Sequence, residues 1–405
     1  MDSAMASVFE ALAKLGPATF VVKAIVAAVA GDVLLIGFIL LRRAYRKRYF
    51  ARRDARVFEF REKWGAIISG EIPYRAWRKN AFKRRIVEEI ALNELDTANS
   101  KESARLLRFL RSSGLIEKRI FEARRHRGWR RRNALVALGR TRAPEGIHAL
   151  ADALRDDDNE NRLAALRGLG RMASPEAAME ILAWLAEHGI QVPALPLQSA
   201  LINCCRERPQ VLIPYLQHGT GEVREVLARV MSEVASPGLG ENLMNLAEDD
   251  LPELRAAAAR AMPTTNTYQA METLTQLAKD QVWYVRLRAV VALGKIKNPE
   301  ATPLLIEALG DASRLVRARA GEAVVAQPGD LLAIFERVVE LGDRYGLHAY
   351  LAALENAAMR PKLEAELKNC IRLSAEEKIR LEQALESGKL PATQAMTAAM
   401  AGADR

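Results

Sequence analysis

Residues 299–320 read P-E-A-T-P-L-L-I-E-A-L-G-D-A-S-R-L-V-R-A-R-A and contain the pattern that decides the fold. A proline leads an apolar helix A, a short turn contains Asp311, and helix B carries Arg317. The same pattern returns every 31 residues between about 125 and 327. One such pair cannot bury both of its helices alone, whereas stacked pairs form a continuous core. We therefore predict an all-α protein with a right-handed α-solenoid of about seven helical pairs over 125–327.

Several residue types recur in fixed columns at this 31-residue spacing. One column contains Arg131, Arg162, Arg224, Arg255, Arg286 and Arg317, with Pro193 as its exception. Another contains Asp156, Asp249, Asp280 and Asp311. The pairs Leu138-Gly139, Leu169-Gly170 and Leu293-Gly294 are predicted to end B helices, because glycine favours the position after a helix. The repeat at 174–205 departs from the pattern, and its prolines predict a bend or a specialised contact.

The segments 299–320 and 280–296 resemble HEAT repeats of the short bacterial type, and the resemblance covers about half of the chain. In that family the turn aspartate and the helix-B arginine commonly pair between neighbouring repeats. The resemblance therefore implies that most of these residues form a structural ladder and are not a ligand site. The predicted ladder contains Arg162, Arg224, Arg255, Arg317, Asp249, Asp280 and Asp311.

Residues 18–41 form an apolar run that is predicted to be a transmembrane helix. As a helix the 24 residues span ~36 Å, against about 30 Å of bilayer hydrocarbon. Seven basic residues follow it within 42–53, whereas the preceding 1–17 is nearly neutral. The positive-inside rule then places the short segment 1–17 outside the cytoplasm and the rest of the chain inside. The alternative is a buried apolar helix of a soluble protein.

One face of the predicted span carries Ala24, Ala28, Gly31 and Asp32. Small residues at this spacing allow close helix contact in a bilayer, and a carboxyl group near its centre is costly without a partner. We predict that this face contacts a transmembrane helix of a partner. The alternative is that Asp32 is tolerated in protonated form.

The segment 42–124 is predicted to be basic and helical, with 30 basic and 11 acidic residues over 42–142. Aromatic residues, including Trp64, Trp77 and Trp129, alternate with the basic ones. This mixture suits anionic lipid headgroups, which we expect near 42–53. It would also suit single-stranded nucleic acid, although the position beside a span makes that partner unlikely.

The B helices carry a predicted protein-binding groove. Five of them sum to a net charge of +8, although 143–405 as a whole has a net charge of −8. B helices usually line the concave side of such solenoids, so a mildly basic groove is expected to face an acidic partner. Its candidate residues are Arg286, Arg288, Lys295, Lys297, Arg314 and Arg319.

The remaining segments give no sign of catalysis. Residues 328–387 are predicted to be capping helices, and 388–405 a disordered tail. The sequence contains no P-loop, H-E-x-x-H or G-x-S-x-G motif, and its five histidines lack ligand spacing. We therefore expect no catalytic residue, cofactor, metal or small-molecule substrate. HEAT-type nucleic-acid-modifying or protein-modifying enzymes are the alternative.

These expectations combine into a non-catalytic adaptor in a bacterial inner membrane. It would bind an integral membrane protein that has a cytosolic domain. The lead-in E-x-R-R-x-R-x-W-R-R-R-x-A at 122–134 resembles membrane-anchored bacterial HEAT proteins that can accompany membrane glycosyltransferases of polysaccharide synthesis. The resemblance therefore suggests such an enzyme as a partner.

Overall fold

The computed structural model describes residues 18–388, except Asn266. These residues form 23 α-helices and five short 3₁₀ segments, with no strand among them. Contacts divide the chain into two compact units, Met1–Glu117 and Lys118–Arg405. The predicted all-α class is confirmed. The predicted segments 1–17 and, beyond Gly388, the tail lie outside the described residues.

The first unit begins with one very long helix. Helix α1, Ala18–Glu62, has 45 residues. The predicted span 18–41 is its apolar part, but the helix does not end there, because no proline or run of turn residues interrupts the basic part that follows. At 1.5 Å per residue, the 21 residues after Leu41 extend ~31 Å further.

Four short helices and a helical turn complete this unit. They are α2 Trp64–Ser69, α3 Arg75–Arg78, α4 Ala81–Thr97, α5 Ser100–Ser112 and α6 Leu115–Arg125, the last of which carries the boundary between the units. Asn80 caps α4 by accepting hydrogen bonds from the Phe82 and Lys83 amides. Asn99 and Glu102 form a capping box at α5. Asparagine before a helix satisfies amides that have no partner in the first turn, so the sequence fixes both starts.

Two of the aromatic residues that suggested a headgroup interface, Trp64 and Trp77, are core residues, so the interpretation does not hold for these two. Trp64 and Trp77 are buried. Both lie edge-on or tilted against Phe109, with ring centroids 5.9 Å apart in each pair. Buried rings neither reach lipid headgroups nor stack on bases. Of the aromatic residues in 42–53, Tyr45 and Phe50 remain exposed.

The second unit stacks A helices and B helices alternately. The A helices after α6 are α8 Ile147–Ala153, α10 Pro175–His188, α12 Ile213–His218, α14 Gly240–Ala247, α16 Thr267–Leu277 and α18 Ala301–Glu307. The B helices are α7 Gly128–Thr141, α9 Asn159–Met172, α11 Ala194–Cys205, α13 Gly221–Val234, α15 Pro252–Ala261, α17 Trp283–Ile296 and α19 Arg314–Val325. The column leucines Leu150, Leu212, Leu243 and Leu305 are fully buried. The predicted α-solenoid is confirmed.

The Leu-Gly pairs do not end the B helices, contrary to our prediction. Helices α7, α9 and α17 continue for two residues beyond Gly139, Gly170 and Gly294. A Cβ atom on Gly139 would lie 2.5 Å from the Gly168 Cα atom of the next B helix. On Gly170 it would lie 2.8 Å from Ala200, and on Gly294 2.8 Å from the Ala323 Cβ. These glycines let neighbouring B helices touch through their backbones.

Four further helices follow the array in 328–387, where capping helices were predicted. After α19 come α20 Leu331–Glu340, α21 Arg344–Asn356, α22 Arg360–Asn369 and α23 Ala375–Ser387. A Cβ on Gly321 of α19 would lie 2.6 Å from the Ala349 carbonyl oxygen of α21. Helix α21 therefore packs against α19 as one B helix packs against the next. The sequence signal is lost because Gly342 and His348 occupy the aspartate and arginine columns.

Candidate partner-binding surface

Arginine–aspartate pairs join the turns of successive repeats. Arg255 donates from Nε and Nη2 to the two carboxylate oxygens of Asp280, at 2.7 and 3.0 Å. Arg286 donates to the Asp311 carboxylate in the same way, from Nε at 2.6 Å and from Nη2 at 2.9 Å. In both arginines Nη1 also donates to two backbone carbonyls of its own turn. Each such arginine thus fixes two neighbouring turns.

The same pairing recurs earlier in the array, with a gap in the middle. Arg131 pairs with Asp156, and Arg224 with Asp249. Arg162 donates to the Asp156 carbonyl oxygen at 2.8 Å. The residue 25 positions after Arg162 is Glu187, which pairs with Arg155 instead, at 2.7 Å. Pro193 replaces the next arginine, so the repeats around it lack both pairs.

Two aspartates of the ladder, Asp280 and Asp311, have pKa values below the usual value for aspartic acid. Burial raises the pKa of Asp280, but the hydrogen bonds from Arg255 and from the Val282 amide outweigh it, so the pKa lies below its usual value. The pKa of Asp311 is lowered in the same way by Arg286 and the Ser313 amide. These carboxylates are therefore charged at neutral pH and act as structural anions.

Arg286 belongs to this ladder, and this corrects its place in the predicted groove. Its guanidinium is held by Asp311, so its charge is already matched. Of the other groove candidates, Arg288, Lys295 and Arg314 are exposed. Arg319 is also exposed but pairs with Glu322 at 2.6 Å. Lys297 follows α17 in a left-handed conformation, with φ of 51°.

The exposed basic residues form aligned rows on the B helices. Arg288 and Lys295 are seven residues apart on α17 and therefore share one face. Arg319 occupies the position of Arg288 one repeat later. The register therefore places these exposed basic side chains at equivalent positions of successive B helices.

A second basic row was missed by the sequence analysis. Arg167, Arg229 and Arg260 are exposed and share one column of the 31-residue register. Arg260 pairs with Glu233, which leaves Arg167 and Arg229 as the more available charges. The 31-residue spacing of these arginines is visible in the sequence. The net charge of each helix did not reveal it, because acidic residues on α13 cancel the charge of Arg229. Next to this row Leu195 is 78% exposed.

The first unit presents two further predicted surfaces. Ala24, Ala28, Gly31 and Asp32 are all exposed on α1. A Cβ on Gly31 would meet nothing within 4 Å, so close approach by a partner helix is sterically open. The basic residues of 42–53 are exposed apart from Arg53, which is half-buried and pairs with Glu89.

Among residues 18–388, the side chains that commonly bind metals are not clustered, and two of the three cysteines are buried. No group of three histidine, cysteine, aspartate or glutamate side chains among residues 18–388 is arranged to hold a metal ion. Cys204 and Cys205 are buried, and burial raises the pKa values of their thiols to about 11 and about 12. Both thiols are therefore protonated and unreactive at neutral pH.

Comparison with known protein families matches the HEAT repeats over residues 124–190 and 240–325. These two segments of the array are recognised as HEAT repeats. The two matched segments flank the part where Pro193 and His218 replace the ladder residues, so the HEAT pattern is weakest where the ladder is interrupted. HEAT repeats are typical of protein-interaction scaffolds, and this array has that architecture.

Solved structures with a similar shape are also repeat proteins. A designed armadillo repeat protein in complex with the peptide (KR)4 is 17% identical, with a TM-score of 0.29, and 59% of this chain and 98% of that chain are covered. Kap95p, in a structure with RanGDP, is 14% identical, with a TM-score of 0.41 and coverage of 76% and 50%. No curated protein matches the sequence.

Proposed function

We propose that this protein is a non-catalytic adaptor that is tethered to the bacterial inner membrane and binds a protein partner through its HEAT array. The observation that carries the proposal is helix α1. It is the one described helix long and apolar enough to cross a bilayer, and none of its apolar window is buried. Such a surface is costly in water and favourable in lipid. The basic part of the same helix then marks the cytoplasmic side.

The proposed tether predicts that the protein resists alkaline extraction from membranes. Treatment of isolated membranes with carbonate should leave full-length protein in the pellet, because the apolar part of α1 is long enough to span the hydrocarbon. Replacing Val29, Leu34 and Ile36 by glutamine should release it. Replacing Arg43, Arg46 and Arg48 by glutamine should not, since these residues only flank the span. Release of the unaltered protein would contradict the tether.

The partner is proposed to be an integral membrane protein with an acidic cytosolic domain. Three surfaces support this proposal. The exposed rows of basic residues on the B helices offer charge complementarity. The face with Gly31 and Asp32 offers a contact within the bilayer. The exposed basic residues of 42–53 lie where anionic headgroups would be. A glycosyltransferase of polysaccharide synthesis is the proposed client, which rests on the sequence resemblance at 122–134.

Purification from gently solubilised membranes tests the groove. The variant Arg288→Glu, Lys295→Glu and Arg319→Glu should lower recovery of a co-purified membrane protein by about tenfold, because like charges then face each other. The control variant Lys279→Glu, Lys362→Glu and Lys368→Glu makes the same change in net charge on exposed residues outside the B helices. Equal recovery with both variants would exclude the basic groove. Recovery of nucleic acid in place of a membrane protein would favour the nucleic-acid alternative.

A further inference from the structure

The ladder ends in an arginine that has no aspartate. Arg317 is the last arginine of its column, and its Nη1 donates to the carbonyl oxygens of Asp311 and Ala312, at 2.7 and 3.1 Å. Arg286 makes the corresponding bonds to its own turn at 2.8 and 3.1 Å. We call an arginine and the aspartate that it binds in the next turn a rung, and Arg286 with Asp311 is a complete one. The Nη1 atom of Arg317 is bound in the same way as that of Arg286.

The carboxylate that would complete this rung is missing from the described part of the chain. In the rungs of Arg255 and Arg286 the aspartate lies 25 residues later, and that position after Arg317 is Gly342. Gly342 has a φ of +70°, whereas Asp311 has a φ of −61°, so the turn itself is different. Within residues 18–388, no carboxylate is recorded in an ion pair with Arg317.

The acidic groups nearest in sequence already have other partners. Asp311 is held by Arg286. Asp343 caps α21, where its carboxylate accepts a hydrogen bond from the Gly346 amide at 2.5 Å. Glu322 pairs with Arg319. In complete rungs the Nε and Nη2 atoms of the arginine donate to a carboxylate. In Arg317 these two donors are available to a carboxylate from another molecule.

Arg317 lies at a groove between α19 and α21. The groove has a volume of about 460 Å³, and Arg314 and Arg317 line it. Its apolar lining consists largely of the alanines Ala318, Ala349, Ala352 and Ala353. The Tyr345 ring lies 5.2 Å from the Arg317 guanidinium carbon, a cation–π distance that holds the guanidinium in place. Glu322 also lines the groove, but Arg319 pairs with its carboxylate, so Arg314 and Arg317 leave a net positive charge beside small side chains, which suits an extended acidic segment.

We propose that Arg317 is an open rung which binds an aspartate or glutamate side chain of a partner protein and so continues the ladder between two molecules. The occupant is an acidic, extended peptide segment whose carboxylate takes the bidentate position that Asp311 takes on Arg286. Neighbouring residues of the segment lie over the alanines. This inference rests on the proposed adaptor function and assigns one contact within it.

The test measures peptide binding to the full-length protein in a neutral detergent. The probe is a fluorescein-labelled octapeptide of alternating alanine and aspartate, with blocked ends, and its control has asparagine in place of aspartate. Fluorescence anisotropy should show binding of the aspartate peptide only. Arg317→Gln should weaken that binding at least about tenfold, because the bidentate pair is lost. Arg337→Gln removes the same charge from an exposed position on α20, outside every proposed binding surface, and should change binding less than about twofold.

A second pair of variants leaves Arg317 in place, so a folding defect of Arg317→Gln cannot decide the result. Ala352→Glu puts an internal carboxylate into the groove and should abolish peptide binding, whereas Ala352→Gln has nearly the same size and should retain it. Equal weakening by Arg317→Gln and Arg337→Gln would overturn the inference, as would retention of binding in Ala352→Glu. Full displacement by millimolar inorganic phosphate at constant ionic strength would assign the site to free anions instead.

The outcome is separable from that of the adaptor proposal. If the peptide fails to bind but a membrane partner is still recovered on purification, only the proposal that Arg317 binds a partner carboxylate is refuted. Absence of any membrane partner, with peptide binding intact, would remove the adaptor while keeping Arg317 as a carboxylate site.

Discussion

Gly139→Ala is expected to lower the thermal unfolding midpoint of the repeat array by about 4–8 °C, because of its effect on packing between α7 and α9. The added Cβ would lie 2.5 Å from the Gly168 Cα atom and 3.4 Å from the Gly168 carbonyl carbon and oxygen. Backbone atoms cannot rotate away, so the two helices must separate. Overpacking of this kind costs about 1–3 kcal/mol and exceeds the gain of up to ~1 kcal/mol from alanine's helix propensity.

Two other glycines provide matched controls for this prediction. A Cβ on Gly168 would chiefly meet the Leu150 Cδ2 atom at 2.7 Å, and that flexible side chain can move, so Gly168→Ala should cost less. A Cβ on Gly221, at the start of α13, would meet nothing within 4 Å, so Gly221→Ala should be neutral or stabilising. Thermal unfolding of the full-length proteins in detergent measures all three. An equal midpoint for the Gly139 and Gly221 variants would refute backbone packing as the reason for Gly139.

The sequence predicts the repeats well because their period is a consequence of stacking. A repeat that buries one helix pair on the next needs apolar residues at the same places each time, and Leu150, Leu243 and Leu305 show this directly. The seven predicted B helices are found, with Arg162, Arg224 and the other column arginines in their first turns. Over most of the array, the residues that recur in the sequence thus occupy the positions that stacking of the repeats requires.

The predictions that failed concern residues with two possible physical roles. Glycine after leucine ends some helices and allows close helix contact in others, and the choice depends on the neighbouring helix, which local sequence does not contain. Trp64 and Trp77 among basic residues suggested an interface with lipid, but both pack against Phe109 of α5, which is distant from them in sequence. Amphipathic composition alone does not identify the face that a ring occupies.

The candidate surface was predictable only in outline, since the register cannot separate a structural arginine from an available one. Arg286 and Arg288 are two residues apart, and both raise the net charge of α17. The structure places Arg286 on Asp311 and leaves Arg288 exposed. Likewise, Arg317 carries the same signature as Arg255, and its unmatched state depends on what stands 25 residues later. The missing aspartate at Gly342 was readable from the sequence once the rung spacing was known.

Asp280→Asn is expected to lower the free energy of unfolding at pH 7 by about 2–3 kcal/mol, because it removes one charge of a partly buried pair. The Asp280 carboxylate accepts two hydrogen bonds from Arg255 and one from the Val282 amide at 2.8 Å. Asparagine retains one oxygen, but its amino group then faces the guanidinium. The control Asp250→Asn removes an exposed carboxylate in the preceding turn and should cost less than about 0.5 kcal/mol.

The acid dependence of the same variant distinguishes loss of a charge pair from loss of shape. Burial raises the pKa of Asp280 and the Arg255 hydrogen bond lowers it, with a net lowering in the folded protein. A lowered folded pKa gives stability that is present above the unfolded pKa of about 3.9 and is lost as the pH falls through the folded value. The difference between wild type and Asp280→Asn in urea unfolding should therefore be full at pH 7 and shrink below about pH 4. A difference that persists unchanged at pH 2 would mean that asparagine disturbs packing and that the charge of Asp280 contributes little.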